Sequence, residues 1–246
     1  MTSNIGEEIY KKSITIIDSL LKGNTRFDGF YSEAEKAVVK RVIHATSDIN
    51  YAETIFFTNN SVQRGINLIN GKIKKKEPLK IVCDSEMTKA GISKNVNKNI
   101  ILNLDCYIGL DYDVLLKKQQ NLENKYEFFN KIKDNEDSYN NITKTALSIR
   151  LATIEKLPDI IVIGNAPTAL VEVMDLCKRL YNFINYNPPI IIAMPVGFVG
   201  AAESKKLLYE DNFYSSAGNF GNFGGSSSAA SAVNALLACS LWKNIL

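Results

Sequence analysis

The sequence predicts a three-layer α/β/α protein with a doubly wound, mostly parallel sheet and an added helical segment at its N-terminus. Short runs rich in Ile and Val recur along the chain, and segments with helical spacing of apolar residues separate them. Near-continuous apolar strands between helices are typical of a parallel sheet that is covered on both faces. The length of 246 residues is compatible with one large domain, so we expect residues 1–246 to fold as a single domain.

The N-terminal segment predicts two helices. Apolar residues recur at helical spacing in residues 7–22. A turn-rich break, GNTRFDGF, follows. Ser32 and Glu35 then form a capping box, in which each side chain can satisfy a backbone amide at the start of a helix. We expect this second helix to run to about Ala45.

The rest of the chain alternates strands with helices. The predicted strands are TIFFT (54–58), LKIVCD (79–84), NIILNL (99–104), DIIVIGN (159–165) and PIIIAMP (189–195). The predicted helices lie at 61–70, 144–156, 168–184, 201–209 and 227–242. This alternation favours a flavodoxin-like order of strands.

Residues 111–143 interrupt the alternation. They are rich in Lys, Asn, Glu and Tyr and have a charged centre, KIKDNEDSYNN. We expect a surface insertion that is partly helical.

The composition is that of an ordinary globular protein and excludes several classes. The formal net charge of +3 is too small to indicate a nucleic-acid partner. No apolar run is long enough to cross a bilayer, so no membrane partner is expected. The N-terminus, MTSNIGEEIYKKS, lacks the apolar core of a signal peptide, which favours a cytoplasmic location.

Cysteine and histidine usage argues against a metal centre. The four cysteines, Cys83, Cys106, Cys177 and Cys239, are far apart and form no C-x-x-C pair. This pattern is typical of reduced thiols without a zinc site or disulfide framework. With a single histidine in the chain, a site with several histidine ligands is impossible.

That single histidine, His44, lies in the segment RVIHATSD. Arg41 precedes it by three residues, which places both side chains on one face of the predicted helix. The C-terminal end of a helix favours a protonated imidazole. Histidine titrates near neutrality and can therefore donate or accept a proton at cellular pH. A lone histidine is equally compatible with a purely structural role.

Candidate ligand contacts follow three of the predicted strands, because open parallel sheets bind ligands at the carboxyl ends of their strands. The segments are IVCDSEMTKAG, VIGNAPTAL and AMPVGFVGAAESKK. Backbone amides at the helix starts within them suit anionic oxygens, although glycine, proline and asparagine after a strand are also ordinary turn residues. The candidates are Asp84, Ser85, Met87, Gly91, Asn165, Ala166, Thr168, Gly197, Phe198, Val199, Glu203 and Ser204.

Phosphate-binding motifs are missing. GNAPT lacks the G-K-[ST] ending of a Walker loop, and no G-x-G-x-x-G is present. The glycine-rich segment SAGNFGNFGGSSSAA (216–230) could approach a phosphate, but its repeated Asn-Phe-Gly predicts a flexible loop.

A series of motifs resembles the precorrin-8X methylmutase family, in order and over nearly the whole chain outside residues 111–143. The motifs are IYKKS (9–13), RVIHAT (41–46), CDSEM…G (83–91), TKTA (143–146), IGNAPTAL (163–170), PVGFVGAAESK (195–205) and GGS…A…VNAL (224–236). IGNAPTAL and PVGFVGAAESK are long and distinctive.

The resemblance implies a cofactor-free isomerase of cobalamin biosynthesis. Such enzymes move a methyl group from C-11 to C-12 of precorrin-8X, giving hydrogenobyrinate, or of cobalt-precorrin-8, giving cobyrinate. It implies that His44 is the proton donor and acceptor, and that Ser13 and Arg41 contact the corrinoid substrate. The strand-end residues and Lys144 would bind its carboxylates. It also implies a homodimer with the macrocycle near the subunit interface, and no metal or cofactor.

Two segments depart from the family pattern. Lys144 stands where an arginine is usual, which keeps the charge but loses the bidentate geometry. In the loop that ends in Gly225-Ser226, Phe220 and Asn222 replace basic residues. Two alternatives stay open from the sequence: a non-catalytic corrinoid carrier of the same fold, and a flavodoxin-like binder of a nucleotide or flavin.

Overall fold

A computed structural model describes residues 5–93, 97–125 and 142–241. Within these residues, six strands form one sheet in the spatial order β1-β6-β5-β4-β2-β3. The strands are β1 (Ile55–Phe57), β2 (Leu79–Cys83), β3 (Leu102–Asp105), β4 (Ile160–Ile163), β5 (Ile190–Ala193) and β6 (Ser216–Asn219).

The sheet is parallel except at one edge. Strands β2 to β6 pair in parallel, whereas β1 pairs antiparallel with β6, with Phe56 opposite Gly218. In chain order the parallel strands lie second, first, third, fourth and fifth across the sheet, which is the flavodoxin order. The predicted fold class is therefore confirmed, with the point where the strand order reverses lying between β2 and β4.

The helices connect the strands and cover both faces of the sheet. They are α1 (Ile5–Leu21), α2 (Thr25–Phe30), α3 (Glu33–Thr46), α4 (Tyr51–Thr54), α5 (Ser61–Lys75), α6 (Glu86–Gly91), α7 (Tyr112–Lys125), α8 (Lys144–Lys156), α9 (Pro167–Ile184), α10 (Ala201–Glu210) and α11 (Ser226–Cys239). Helices α3, α5 and α11 pack on one face together with α1 and α2. Helices α8, α9 and α10 pack on the other face.

The core consists of two layers that alternate along each strand. Ile160 and Val162 of β4 point to the α3/α11 side, and Ile161 and Ile163 point to the α8/α9 side. All four side chains are buried. Burial of alternate residues on both faces explains why the central strands read as continuous apolar runs.

The N-terminal segment follows the prediction with one addition. The capping box is present: the Ser32 hydroxyl accepts from the Glu35 amide, and the Glu35 carboxylate accepts from the Ser32 amide at 2.8 Å. The predicted break contains a short helix, α2, where a turn alone was expected. Asn24 caps it by accepting the amide of Phe27 at 2.7 Å, and the Phe27 side chain is buried.

The prediction of a flexible loop over residues 216–230 is wrong for both ends of that segment. Residues 216–219 form β6 in the sheet interior, and helix α11 begins at Ser226. Small residues are needed in β6 because a Cβ at Gly218 would lie 2.5 Å from Phe56 Cζ and 2.7 Å from the carbonyl oxygen of Ala193.

Part of the predicted insertion is helical. Helix α7 packs Leu115 and Leu122 against α8 and α9, whereas residues 126–141 lie outside the described residues. The surface insertion and the single domain stay predictions. All four cysteines lie in described residues and are free thiols, three of them buried. None of the described helices combines the length and apolarity that a membrane span requires.

A glycine pair tests the packing of β6. Replacing Gly218 with Ala forces the new methyl group onto Phe56 and the β5 backbone, so we expect the free energy of unfolding to fall by about 1–3 kcal/mol. Gly71, in α5, has open space around its missing Cβ. Gly71→Ala should stabilise the protein by about 0.5–1 kcal/mol, because alanine favours helix. Urea unfolding measures both changes, and equal midpoints would contradict this account of β6.

Candidate functional site

The single histidine lies where α1 and α3 meet. His44 Nδ1 is 2.7 Å from the hydroxyl of Ser13 on α1. The ring of Tyr10, one turn before Ser13, meets the imidazole edge-on with centroids 5.0 Å apart. The guanidinium of Arg41 lies over the Tyr10 ring, with its carbon 4.8 Å from the ring centre. The structure therefore brings together Ser13, Arg41 and His44, three of the predicted site residues, and Tyr10 contacts both basic groups.

Helix packing sets this arrangement. Val38, Val39 and Val42 of α3 are buried in the core, so the opposite side of α3, which carries Arg41 and His44, faces α1. The two helices are also joined by an ion pair between Lys40 Nζ and Asp18 Oδ1 at 3.0 Å. The tertiary contacts of α3 thus place the Arg41 and His44 side chains beside Ser13.

The protonation state of His44 differs from the sequence expectation. The helix C-terminus predicts a favoured imidazolium, but partial burial, followed by repulsion from the Arg41 guanidinium, holds the pKa of His44 below its ordinary value of 6.5. The imidazole is therefore neutral at neutral pH. Since a hydroxyl can donate or accept, Ser13 can support a hydrogen on either ring nitrogen. Within the described residues Nδ1 is engaged by Ser13, which leaves Nε2 for a ligand.

Asp84 joins the ends of β2 and β4 at the point where the strand order reverses. Its carboxylate is 2% exposed and accepts from the backbone amides of Gly164, Asn165 and Ala166 at 3.0, 2.8 and 2.9 Å. Burial raises the pKa of Asp84, and these three amides oppose that rise. Because both carboxylate oxygens are engaged inside the protein, Asp84 lies behind the loop after β4. From the sequence, Asp84 was predicted to contact the substrate directly; in this structure its carboxylate faces backbone amides instead.

The residues that follow Asp84 connect β2 to α11. The Ser85 hydroxyl is 3.2 Å from the hydroxyl of Ser226, at the start of α11. Gly91 lets α6 approach the same helix, since a Cβ there would lie 2.7 Å from the Ala230 Cβ. Met87 is 74% exposed. Of these predicted contacts, Met87 is thus the side chain most available to a ligand.

Other predicted residues line a separate cleft. A cavity of about 690 Å³ lies between α9 and α10, a size typical of small-molecule sites. Four predicted residues line it: Thr168, Val199, Glu203 and Ser204. The start of α8 lies beside the start of α9, because the hydroxyls of Thr143 and Thr168 are 3.0 Å apart. This places the exposed Lys144, the first residue of α8, at the same edge of the sheet.

The segment after β5 projects from that edge. Gly197 has a φ of 151°, and Phe198 and Val199 beyond it are 93% and 88% exposed. Two large apolar side chains exposed this far are available for a ligand or a partner.

The sheet separates the two groups of predicted residues. Ser13, Arg41 and His44 belong to the layer of α3 and α11, whereas the cleft lies in the layer of α9 and α10. The cavity beside Arg41 is only about 90 Å³ and is lined by Tyr10, Asn234 and neighbouring residues of α11. In a single chain the predicted residues therefore form two groups, one on each side of the sheet, and not one closed cavity.

Sequence reasoning missed three residues of this region, Tyr10, Asn234 and Lys205. Tyr10 is part of the IYKKS motif, and its spacing of three residues from Ser13 could have indicated the shared helix face. Asn234 binds the segment after α6, accepting from the Ser93 amide at 2.8 Å and donating to the Gly91 carbonyl at 2.9 Å. Lys205 is fully buried. No spacing rule indicates the last two.

The pKa of His44 can be measured without ambiguity, because the chain has no other histidine. We expect its imidazole proton resonance to titrate below 6.5, and Arg41→Met to move the pKa upward without passing 6.5, since burial remains. Lys40→Met removes a neighbouring charge that pairs with Asp18 and should leave the pKa unchanged. Because the folded protein binds this proton less tightly than the unfolded chain, stability should fall as pH drops below 6.5. An unchanged pKa in Arg41→Met would contradict the assigned geometry.

The chain is similar to known proteins over most of its length. A family model described as precorrin-8X methylmutase matches residues 8–138 and 114–239. A cobalt-precorrin-8 methylmutase from Methanocaldococcus jannaschii is 35% identical over 212 residues, covering 85% of this chain and 83% of the relative. A precorrin-8X methylmutase from a Sinorhizobium species is 27% identical over 208 residues, covering 85% and 82%.

Two solved structures share the fold. One, described as a precorrin-8X methylmutase related protein, has a TM-score of 0.68 at 28% identity and covers 92% of this chain and 98% of its own. The other, a precorrin-8x methyl mutase from Thermus thermophilus, has a TM-score of 0.69 at 22% identity and covers 95% and 96%. From the match of the family model and the identity to curated relatives, the chain belongs to the precorrin-8X methylmutase family, isomerases of cobalamin biosynthesis.

Proposed function

We propose that the protein moves the methyl group at C-11 of the precorrin-8 macrocycle to C-12, with His44 as proton donor and acceptor. The observation that carries the proposal is the hydrogen bond of 2.7 Å between His44 Nδ1 and Ser13 Oγ. It orients a neutral imidazole whose Nε2 is left for a ring nitrogen. Methyl migration around a conjugated ring needs a well-placed acid and a shaped site.

The proton returns to its origin in this scheme. The imidazolium form of His44 protonates a ring nitrogen through Nε2–H and is left as the neutral imidazole. The added proton draws electron density away from the neighbouring ring carbons, and the methyl group migrates with its bonding electrons. His44 then takes the proton back, so that substrate and product are isomers. Nδ1 carries a hydrogen throughout and donates it to the Ser13 hydroxyl, so that His44 is an imidazolium while Nε2 holds the proton and a neutral imidazole after the transfer. A pKa below 6.5 keeps the imidazole able to accept that proton at neutral pH.

Two groups of donors are available to the substrate carboxylates. Arg41 lies beside His44, whereas the amides at the starts of α9 and α10 and the exposed Lys144 lie at the carboxyl edge of the sheet. We propose that Met87, Phe198 and Val199, all strongly exposed, contact the apolar face of the macrocycle. Asp84 acts indirectly by orienting the loop of Asn165 and Ala166.

We propose cobalt-precorrin-8 as the natural substrate. The support is that relatives from Methanocaldococcus jannaschii and Leptospira interrogans, at 35% and 31% identity, carry that name. Two relatives named for precorrin-8X, from a Sinorhizobium species and Pseudomonas aeruginosa, are each 27% identical. Assays with the cobalt and metal-free macrocycles side by side would test the choice, and a higher kcat/KM for the metal-free form would overturn it. This function implies a cytoplasmic location.

The role of His44 is tested by following the absorption spectrum of the macrocycle. His44→Ala should lower the rate of conversion by about 10²- to 10⁴-fold, the usual contribution of a general acid. Ser13→Ala removes one hydrogen bond and should cost about tenfold. Ser19→Ala is the matched control on α1, because its hydroxyl bonds only within its own helix, to the Thr15 carbonyl at 3.0 Å. Conversion by His44→Ala at the wild-type rate would refute the proposal.

We further propose a homodimer in which a second copy covers α1 and closes the site. Ile5, Ile9, Ile16 and Leu20 are each more than half exposed. At 100° per residue they fall within one narrow stripe of the helix, next to Ser13. An exposed apolar stripe of this kind is typical of an interaction surface.

Substitutions on the stripe test the dimer. A double change, Ile9→Glu with Ile16→Glu, should halve the mass measured by sedimentation, because carboxylates oppose burial of the stripe. Val171→Glu places the same charge on the cleft side of the sheet, at another exposed apolar residue, and should leave the mass unchanged. A monomeric wild type, or dissociation only by Val171→Glu, would contradict the assignment.

A further inference from the structure

Lys205, on α10, is fully buried and contacts three different segments. Its ammonium donates to the carbonyl of Pro195 at 2.9 Å, to the carbonyl of Phe223 at 2.7 Å and to the side-chain oxygen of Asn219 at 3.4 Å. Pro195 belongs to residues 194–200, here named the β5 loop, and Phe223 belongs to residues 220–225, here named the glycine loop. One side chain thus joins both loops to the end of β6.

The charge of Lys205 is balanced by dipoles. Its hydrogen-bond partners among the described residues are two backbone carbonyls and one amide oxygen, and the centre of the Phe223 ring lies 6.0 Å from the ammonium nitrogen. Burial is the cause that lowers the pKa of Lys205 to about 8. The β5 loop, β6 and the glycine loop contain no ionisable side chain. On α9, Glu172, Asp175 and Arg179 line the cleft, which Lys205 does not. A buried ammonium whose hydrogen bonds all go to carbonyl oxygens strongly constrains the backbone that supplies them.

The two loops are also joined directly. The Gly197 amide donates to the Asn222 carbonyl at 3.0 Å, and the Gly225 amide donates to the Met194 carbonyl at 2.8 Å. The approach is close, because a Cβ at Gly224 would lie 2.2 Å from the Met194 carbonyl oxygen. Lys205 therefore lies behind a seam of backbone hydrogen bonds at the carboxyl edge of the sheet.

The seam is connected to α3, the helix that carries the histidine. The glycine loop leads into α11 at Ser226, and α11 packs against α3. The Phe223 ring meets the ring of Tyr51, on α4, at 5.1 Å between centroids. Since α4 follows α3 directly, a displacement of the glycine loop would be transmitted to α3, the helix that carries His44, through both α11 and α4.

We propose that Lys205 is a positioning residue that holds the glycine loop against the β5 loop and so fixes the binding edge for the macrocycle. The inference rests on the proposed function for its effect on catalysis. Its structural part, the joining of the two loops, stands apart from that function and can be measured without substrate.

Amide hydrogen exchange tests the joining of the loops. In Lys205→Met, protection of the Gly197 and Gly225 amides should fall by about tenfold, the effect of losing one charge-assisted hydrogen bond. Lys206→Met is the matched control, because Lys206 is the next residue of α10 and is exposed. In the wild type, protection should rise as pH increases above about 8, because burial lowers the pKa of Lys205 and an open state with a solvated lysine binds the proton more tightly than the closed state does.

Kinetics tests the consequence for the macrocycle. Lys205→Met should raise KM about tenfold while kcat changes little, because Lys205 shapes binding and touches no reacting atom. Unchanged protection and KM in an active Lys205→Met protein would overturn the inference and leave the proposed function intact. Failure of wild type to convert the macrocycle would refute the function alone. If Lys205→Met does not fold, wild-type protection that is independent of pH between 7 and 9 overturns the inference.

Discussion

The carboxylate of Asp84 is the contact on which the carboxyl edge depends. Three consecutive amides, those of Gly164, Asn165 and Ala166, converge on it at 2.8–3.0 Å. These amides would otherwise point into a crowded junction without partners, since Gly164 has no room even for a methyl group beside Thr88 and Ser226. The contact fixes the loop after β4 to the end of β2, and the starts of α6, α9 and α11 take their positions around it.

The sequence predicted the strands that have a strong apolar signal and missed the one that has none. Strands β2, β4 and β5 are Ile/Val-rich because helices cover both their faces. β6, Ser-Ala-Gly-Asn, carries no such pattern. Its glycine is required because Phe56 and Ala193 lie too close for a side chain, and this close approach exists only in the folded sheet. The antiparallel direction of β1 is likewise a property of the sheet and not of the three residues that form it. Short helices such as α2 were missed because the residues that form them are typical of turns.

The sequence predicted which residues form the site better than it predicted how they are arranged. Spacing along one helix was enough to pair Arg41 with His44, but the partner residues Ser13 and Tyr10 come from α1, across a helix contact that no local rule describes. The helix dipole suggested a protonated histidine, whereas burial and Arg41 oppose protonation. Desolvation and a neighbouring cation act together here and exceed the partial charge of a helix end.

Family membership decides between the alternatives that the sequence left open. It supports an isomerase over a corrinoid carrier or a binder of nucleotide or flavin, although the flavodoxin order of strands is shared with the latter. His44 and the cleft lie on opposite faces of the sheet, so neither forms part of an enclosed pocket with the other in a single chain.

The loops at residues 194–200 and 220–225 bring no ionisable side chain to this edge, and the lysine beneath them is sealed from water. A ligand bound along these loops, as we propose, would therefore meet backbone dipoles and an apolar shape. Dipoles act over a shorter range than charges and are little affected by mobile ions, because dissolved salt screens long-range fields first. Any binding energy that arose here would be insensitive to ionic strength, and it would discriminate between ligands at contact and not during their approach.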